Sequence, residues 1–205
     1  MLIQIKTVHC GDIQENAYIV YLEGQSECVV IDPGDEYMKL RRAIDRPVAA
    51  ILLTHGHFDH IMAVGELVAA TGATVYIGQA DMEMLDNPRL NGYDTLMGPG
   101  HMPGQPFSAA PYGETLSVAG MNFEVLSTPG HSRGSVCLYL RSEDTLFSGD
   151  TLFKAGFGRM DLHGGSPAQM RDSLRRLFEL PPATKVYCGH GAPTTIGEER
   201  SRYRL

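Results

Sequence analysis

The chain has 205 residues, 43% of them hydrophobic and 20% charged, with a formal net charge of -7. That length suits one domain of generous size or two small ones, and the composition is ordinary for a globular protein with a sizeable core. The acidic balance and the lack of a basic stripe argue against a nucleic-acid or other polyphosphate partner, and no apolar run is long enough to cross a bilayer.

Residues 1–8 alternate apolar and polar side chains, which predicts a first strand and not a basic-headed leader peptide. Residues 16–23 predict its partner across a loop at 11–15, with a second turn at 24–26. Cys28–Ile31 reads as a short buried strand that stops at Asp32-Pro33-Gly34. A helix is expected over 37–45, with Met38, Leu40 and Ile44 among charges, then a strand over 48–53. A second helix is expected over 61–71, stopped by Gly72, followed by a strand at Thr74–Ile77 and a short helix at 80–85. Residues 87–111 are dense in proline and glycine and predict a long surface loop, of the length that often serves as a lid. Strands follow at Thr115–Val118, 122–127, 135–140 and 145–148. Ser166 as N-cap and Pro167 at N1 open a helix over 167–179 whose inner face is Leu174, Leu177 and Phe178. Lys185–Cys188 is the last expected strand. Cys10, Cys28, Cys137 and Cys188 form no C-x-x-C pair and suggest buried free thiols in a reducing, cytoplasmic setting.

Chemistry concentrates where the 48–53 strand ends. His55, His57, Asp59 and His60 lie within six residues. Imidazole and carboxylate are the usual ligands of borderline divalent metals, and crowding them is costly unless something binds them. Three later strands also end on a metal-competent residue beside glycine: Gly130-His131, Gly149-Asp150 and Gly189-His190. Glycine lets the backbone approach closely and turn tightly, which helps aim a side chain inward. Each of these alone reads as an ordinary histidine or a turn aspartate. Together, at strand ends that layered α/β folds gather at one rim, they read as one site.

The order His55-x-His57-x-Asp59-His60, His131, Asp150, His190 resembles the metallo-β-lactamase superfamily, over nearly the whole chain. The resemblance implies an α/β fold, an αββα sandwich of two mixed sheets flanked by helices, as a single domain over 1–205. It implies two divalent metal ions, zinc first, with iron or manganese as alternatives. His55, His57 and His131 would hold one ion, Asp59, His60 and His190 the other, and Asp150 would bridge them. Zinc β-lactamases of the commonest class carry cysteine where Asp150 stands. A carboxylate there is similar to glyoxalase II-like hydrolases, as are Thr128-Pro129-Gly130-His131-Ser132 and the 194–199 segment Thr-Thr-Ile-Gly-Glu-Glu.

That branch implies a metal-bridged hydroxide attacking a carbonyl, with a small-molecule thioester such as a hydroxyacylglutathione as substrate and Asp59 orienting the nucleophile. Glutathione-using members add a C-terminal helical domain, which this chain stops short of, and carry Lys-x-Tyr where Arg159-Met160-Asp161 stands. The resemblance is therefore to the short, single-domain bacterial type. Arg159 is expected either to grip a substrate carboxylate or to form a surface ion pair. Gly158-Arg159-x-Asp161 also resembles persulfide dioxygenases, which hold one iron by residues matching His55, His131 and Asp150. Their last histidine is usually followed by aspartate, whereas Gly191 follows His190. A metal-binding domain without turnover is the third reading. Asp32 and Thr54 are candidates to support the ligands from behind, or plain turn and helix-entry residues.

Overall fold

The computed structural model describes residues 2–100, 102 and 104–203. One sheet runs in chain order through β1 (Ile3–Cys10), β2 (Glu15–Leu22), β3 (Cys28–Ile31), β4 (Val48–Leu52), β5 (Thr74–Ile77) and β6 (Ala109–Pro111). Its first two junctions are antiparallel and the rest parallel. The second sheet runs from β7 (Thr115–Val118) through β8 (Met121–Ser127), β9 (Val136–Leu140), β10 (Thr145–Gly149) and β11 (Lys185–Cys188) to β12 (Thr194–Thr195). Only its β10–β11 junction is parallel. Both sheets are mixed.

The two-residue period of each strand builds the layers. Along β2, Tyr18, Val20 and Leu22 enter the core between the sheets, while Ala17 and Ile19 face the outer layer. There α1 (Tyr37–Ala43) adds Leu40, and α2 (Val64–Thr71) adds Val64 and Leu67. Along β9, Val136, Leu138 and Leu140 meet the first sheet, while Cys137 and Tyr139 turn outward. They pack under α4 (Pro167–Leu177), through Met170, Leu174 and Leu177, and under Ile196 of α5 (Ile196–Arg200). The result is the expected αββα sandwich.

Several elements differ from expectation. β6 and β12 add edge strands in places too short, or too rich in proline, to show a period. Pro111 sits on an edge, where a missing ladder donor is tolerated. The helix expected over 61–71 begins at Val64, because Phe58–His60 first makes a 3-10 turn. The helix expected over 80–85 is a 3-10 helix, Gln79–Met84. The loop expected over 87–111 contains α3 (Tyr93–Leu96) as well as β6. The 167–179 helix ends at Leu177, and Ser166 caps it, its hydroxyl accepting from the Gln169 amide at 3.4 Å. The four cysteines are unpaired and buried. Among the described residues no helix is long and apolar enough to cross a membrane.

One rim matters most. β3, β4, β8, β10 and β11 end there, and backbone bonds stitch the sheets together: Val136 N–H to the Thr54 carbonyl at 2.8 Å, and Asn16 N–H to the Gly189 carbonyl at 2.7 Å.

Candidate metal centre

All seven side chains expected to bind metal meet at this rim. His55, His57 and His131 each offer a ligand atom, and these atoms lie within 4.8 Å of one another. Asp59, His60 and His190 form a second such group. Asp150 stands between the two, its Oδ2 3.4 Å from His131 Nε2 and its Oδ1 3.4 Å from His60 Nε2. Asp59 Oδ2 is 3.2 Å from His190 Nε2 and 3.6 Å from His60 Nε2.

Most rings are anchored from behind. Asp32 faces His60 Nδ1 at 3.0 Å, the Arg159 carbonyl faces His131 Nδ1 at 2.7 Å, and the Ile13 carbonyl faces His190 Nδ1 at 3.3 Å. Each of these oxygens can only accept, so Nδ1 carries a proton, and in the neutral ring Nε2 presents its lone pair to the centre. The Thr54 hydroxyl donates to Asp32 at 2.6 Å, which leaves its oxygen to accept from His55 Nδ1 at 3.1 Å. His57 is turned the other way, with Nδ1 2.7 Å from His131 Nε2. The spacing of Asp32, His55 and His60 also suits a metal. Asp32, however, is already engaged by the Thr54 amide and hydroxyl and by His60. It supports the ligands, as Thr54 does.

Glycine is needed beside the ligands. A Cβ on Gly189 would overlap Asp150 Oδ1 and come within 2.9 Å of His60 Cε1. Gly149 has φ +47° and lies against the Thr54 side chain, which a Cβ would overlap. Asp32 itself is held at φ 47°, a left-handed conformation costly for a residue with a side chain and typical of functional turns.

Burial and the neighbouring imidazoles push His55 well below the usual histidine range. Burial and His131 bring His57 down to about 3. Burial opposes charge on His60 too, but Asp59, Asp150 and Asp32 outweigh it and raise that ring well above the usual range. His190 is raised, its hydrogen bond to Asp59 and the Asp150 charge outweighing burial. Burial works against ionisation of Asp59 and Asp150, yet His60 and its neighbours hold both below the usual carboxylate range.

The residues fit a pair of divalent cations. Nε2 of His55 and His60 and Oδ1 of Asp150 are buried without a hydrogen bond. Buried polar atoms are nearly always partnered, and inward lone pairs on imidazole and carboxylate are what such metals take.

Arg159 lines the cleft over this centre, but its guanidinium forms a two-point ion pair with Asp161, at 2.7 and 2.8 Å. Of the two expectations for it, the structure shows the ion pair.

Three supporting residues escaped sequence reasoning. Asp81 is buried and accepts from the Gly56 amide at 3.1 Å, the Gly134 amide at 2.6 Å and the Ser132 hydroxyl at 2.5 Å, joining the His55–His57 loop to the His131 loop. Asn16 donates to the carbonyls of Cys188 and Gly191, on either side of His190. Glu15 is buried, with Oε1 3.8 Å from His60 Nδ1. The one available signal was a polar pair, Glu15-Asn16, heading a strand that is otherwise apolar. Asp81 gave none.

The metallo-beta-lactamase superfamily profile matches residues 10–190. A probable metallo-hydrolase of Bacillus subtilis, YqgX, is 38% identical over 94% of this chain and 92% of its own length. A hydroxyacylglutathione hydrolase of Aeromonas hydrophila is 37% identical over 84% of this chain and 60% of its own. Among solved structures, the BLEG-1 B3 metallo-beta-lactamase superposes with a TM-score of 0.89 at 38% identity, covering 97% of each chain. TTHA1623 in a di-iron-bound form superposes with a TM-score of 0.85 at 40% identity, covering 95% of this chain and 96% of that one. Fold, site and relatives agree: the chain belongs to the metallo-beta-lactamase superfamily, as one of its metallo-hydrolases.

Proposed function

We propose that this protein hydrolyses a thioester at a two-metal centre. The observation that carries the reading is Asp150, whose two oxygens each lie 3.4 Å from an imidazole of a different triad. A carboxylate so placed suits two cations. A mononuclear persulfide chemistry would leave Asp59, His60 and His190 without a task. The relative with two irons supports two metals. Zinc is the first assignment, because imidazole and carboxylate donors suit it, and iron or manganese would be accepted by the same set.

His55, His57 and His131 would hold one ion, Asp59, His60 and His190 the other, and Asp150 both. When bound, such ions lower the pKa of water from 15.7 to about 7 and polarise a carbonyl oxygen. Asp59, on the cleft wall, would accept a hydrogen bond from the attacking water and fix its direction. Asp32, Thr54 and the Arg159 carbonyl would keep the rings in one tautomer, so that no reorganisation is needed during reaction.

The leaving group follows from what the wall lacks. Every imidazole and carboxylate among the described wall residues belongs to the ligand set, leaving Arg159 and Asn91 as the other polar side chains. None of the described wall residues is a spare acid that could protonate a strongly basic alkoxide or amide nitrogen. A thiolate, whose conjugate acid has a pKa of about 8.5, departs without one. The Aeromonas relative, a hydroxyacylglutathione hydrolase by name, points to the same substrate class.

The test is to purify the protein anaerobically, count its metals, and assay thiol release from 2-hydroxyacyl and simple acyl thioesters. Two metals per chain and turnover that disappears in a folded Asp59→Ala variant support the reading. One iron with oxygen uptake on a persulfide overturns it. A metal-loaded protein that turns over neither substrate points to a binding domain.

A further inference from the structure

Away from the ligands, the wall of the cleft is apolar. Ile13 from the β1–β2 turn, Leu96 and Met97 at the end of α3, and Phe153 and Leu162 from the chain after β10 face the same cavity of about 410 Å³ as His131 and Asp150. Ile13, Leu96 and Met97 are 49%, 45% and 54% exposed. They are three of the five large hydrophobic side chains at least 45% exposed among the described residues, and they meet at one mouth. Scattered exposed apolar residues need no explanation; a cluster continuous with a reactive centre marks where a ligand sits. Charge points the same way. Arg159 is the only Lys or Arg among the described wall residues, and Asp161 already holds it at two points. A carboxylate-rich thiol carrier finds no free cation among the described wall residues.

We propose that the acyl half of the substrate is an apolar chain of medium length, and that Ile13, Leu96, Met97 and Leu162 select it. The inference rests on the thioester reading above. Water adds to the carbonyl carbon, the C–S bond breaks, and the products are the carboxylate, a proton released to solvent, and the free thiol. The proline- and glycine-rich segment thereby gains a role, since α3 brings Leu96 and Met97 over the centre.

The experiment uses esters of one small uncharged thiol, N-acetylcysteamine, with acyl chains from acetyl to decanoyl. The expected result is that kcat/KM rises about fourfold with each added methylene through the middle of the series. In a Leu96→Ser, Met97→Ser double variant, the ratio of octanoyl to acetyl kcat/KM should fall at least tenfold, a little less than the roughly 16-fold gain expected from two methylenes, with metal content unchanged. A second readout needs no turnover: the amides corresponding to these esters should bind the metal-free protein more tightly as the chain lengthens, by calorimetry. A flat chain-length profile, or rates that follow the thiol and ignore the acyl group, overturns the inference and leaves the hydrolase reading standing. No turnover of any thioester by the metal-loaded protein removes the hydrolase reading, and the inference with it.

Discussion

Asp32 Oδ2 lies 3.0 Å from Nδ1 of His60, at a left-handed turn where β3 has just ended. The same carboxylate accepts from the Thr54 amide at 2.7 Å and the Thr54 hydroxyl at 2.6 Å. One buried group therefore orients a ring of the second triad directly and, through Thr54, a ring of the first. Asp32→Asn keeps the shape but turns an amide NH2 toward donors. Metal affinity should fall by about 10- to 100-fold, the usual cost of losing such a partner. Competition against a chromophoric chelator measures it, with circular dichroism confirming the fold. Wild-type affinity in this variant would mean that the rings are held by packing alone.

Asp81 is the counterpart on the other side of the centre. Removing its carboxylate by Asp81→Ala strands the amides of Gly56 and Gly134 in the interior, while Ser132 keeps the Ser135 hydroxyl at 2.6 Å. Each buried orphan costs about 1–3 kcal/mol, so a loss of roughly 2–6 kcal/mol is expected. Thermal unfolding should move down by roughly 2–4 °C per kcal/mol for a chain of this size. Asp81→Asn should lose less, because its carbonyl oxygen can still accept from one amide. Equal stability of all three proteins would contradict this account.

The thiols provide a check on the core. Burial raises the Cys28 and Cys137 thiols to about 11. The raised pKa favours the protonated form, so at pH 8 about one molecule in a thousand carries the reactive thiolate at either position. Ellman's reagent at pH 8 should therefore react with almost none of the four cysteines in the native protein and with all four in guanidinium chloride. Rapid native reaction of even one would show that a sheet opens easily.

Much of this fold was legible because apolar side chains with a two-residue period need only four or five positions to declare a strand. Thr74–Ile77, Thr115–Val118 and Lys185–Cys188 are found at the expected bounds for that reason, and Cys28–Ile31 because a short unbroken apolar run ahead of a turn also declares a strand. A strand of two residues such as Thr194–Thr195 has no period to read, and Ala109–Pro111 was hidden by its proline. The site divides in the same way. Imidazoles and carboxylates at strand ends beside glycine stand out in any sequence, so His55, His131, Asp150 and His190 were visible. Asp81 was not, since its partners are backbone amides, which every residue but proline carries. Its role exists only once the two ligand loops are folded side by side.

Asn16 shows how that second kind of residue acts on the site. Its side-chain NH2 reaches the Cys188 carbonyl at 3.0 Å and the Gly191 carbonyl at 2.9 Å, and its backbone amide reaches the Gly189 carbonyl at 2.7 Å. The first sheet thus holds the loop that carries His190. Asn16→Ala leaves the backbone bond, and the Cys188 carbonyl keeps the Tyr18 hydroxyl at 2.5 Å, but the Gly191 carbonyl loses its side-chain donor. His190 is the half-exposed member of its triad, 26% open at the side chain, whereas His60 is fully buried, so the loosened loop should affect the second group first. Under stepwise chelation the variant should lose one metal at a lower chelator concentration than the wild type, while the other is retained at wild-type affinity. Metal analysis after dialysis against graded chelator tests this. Simultaneous loss of both metals would mean that the two half-sites form one cooperative unit and that Asn16 supports the whole of it.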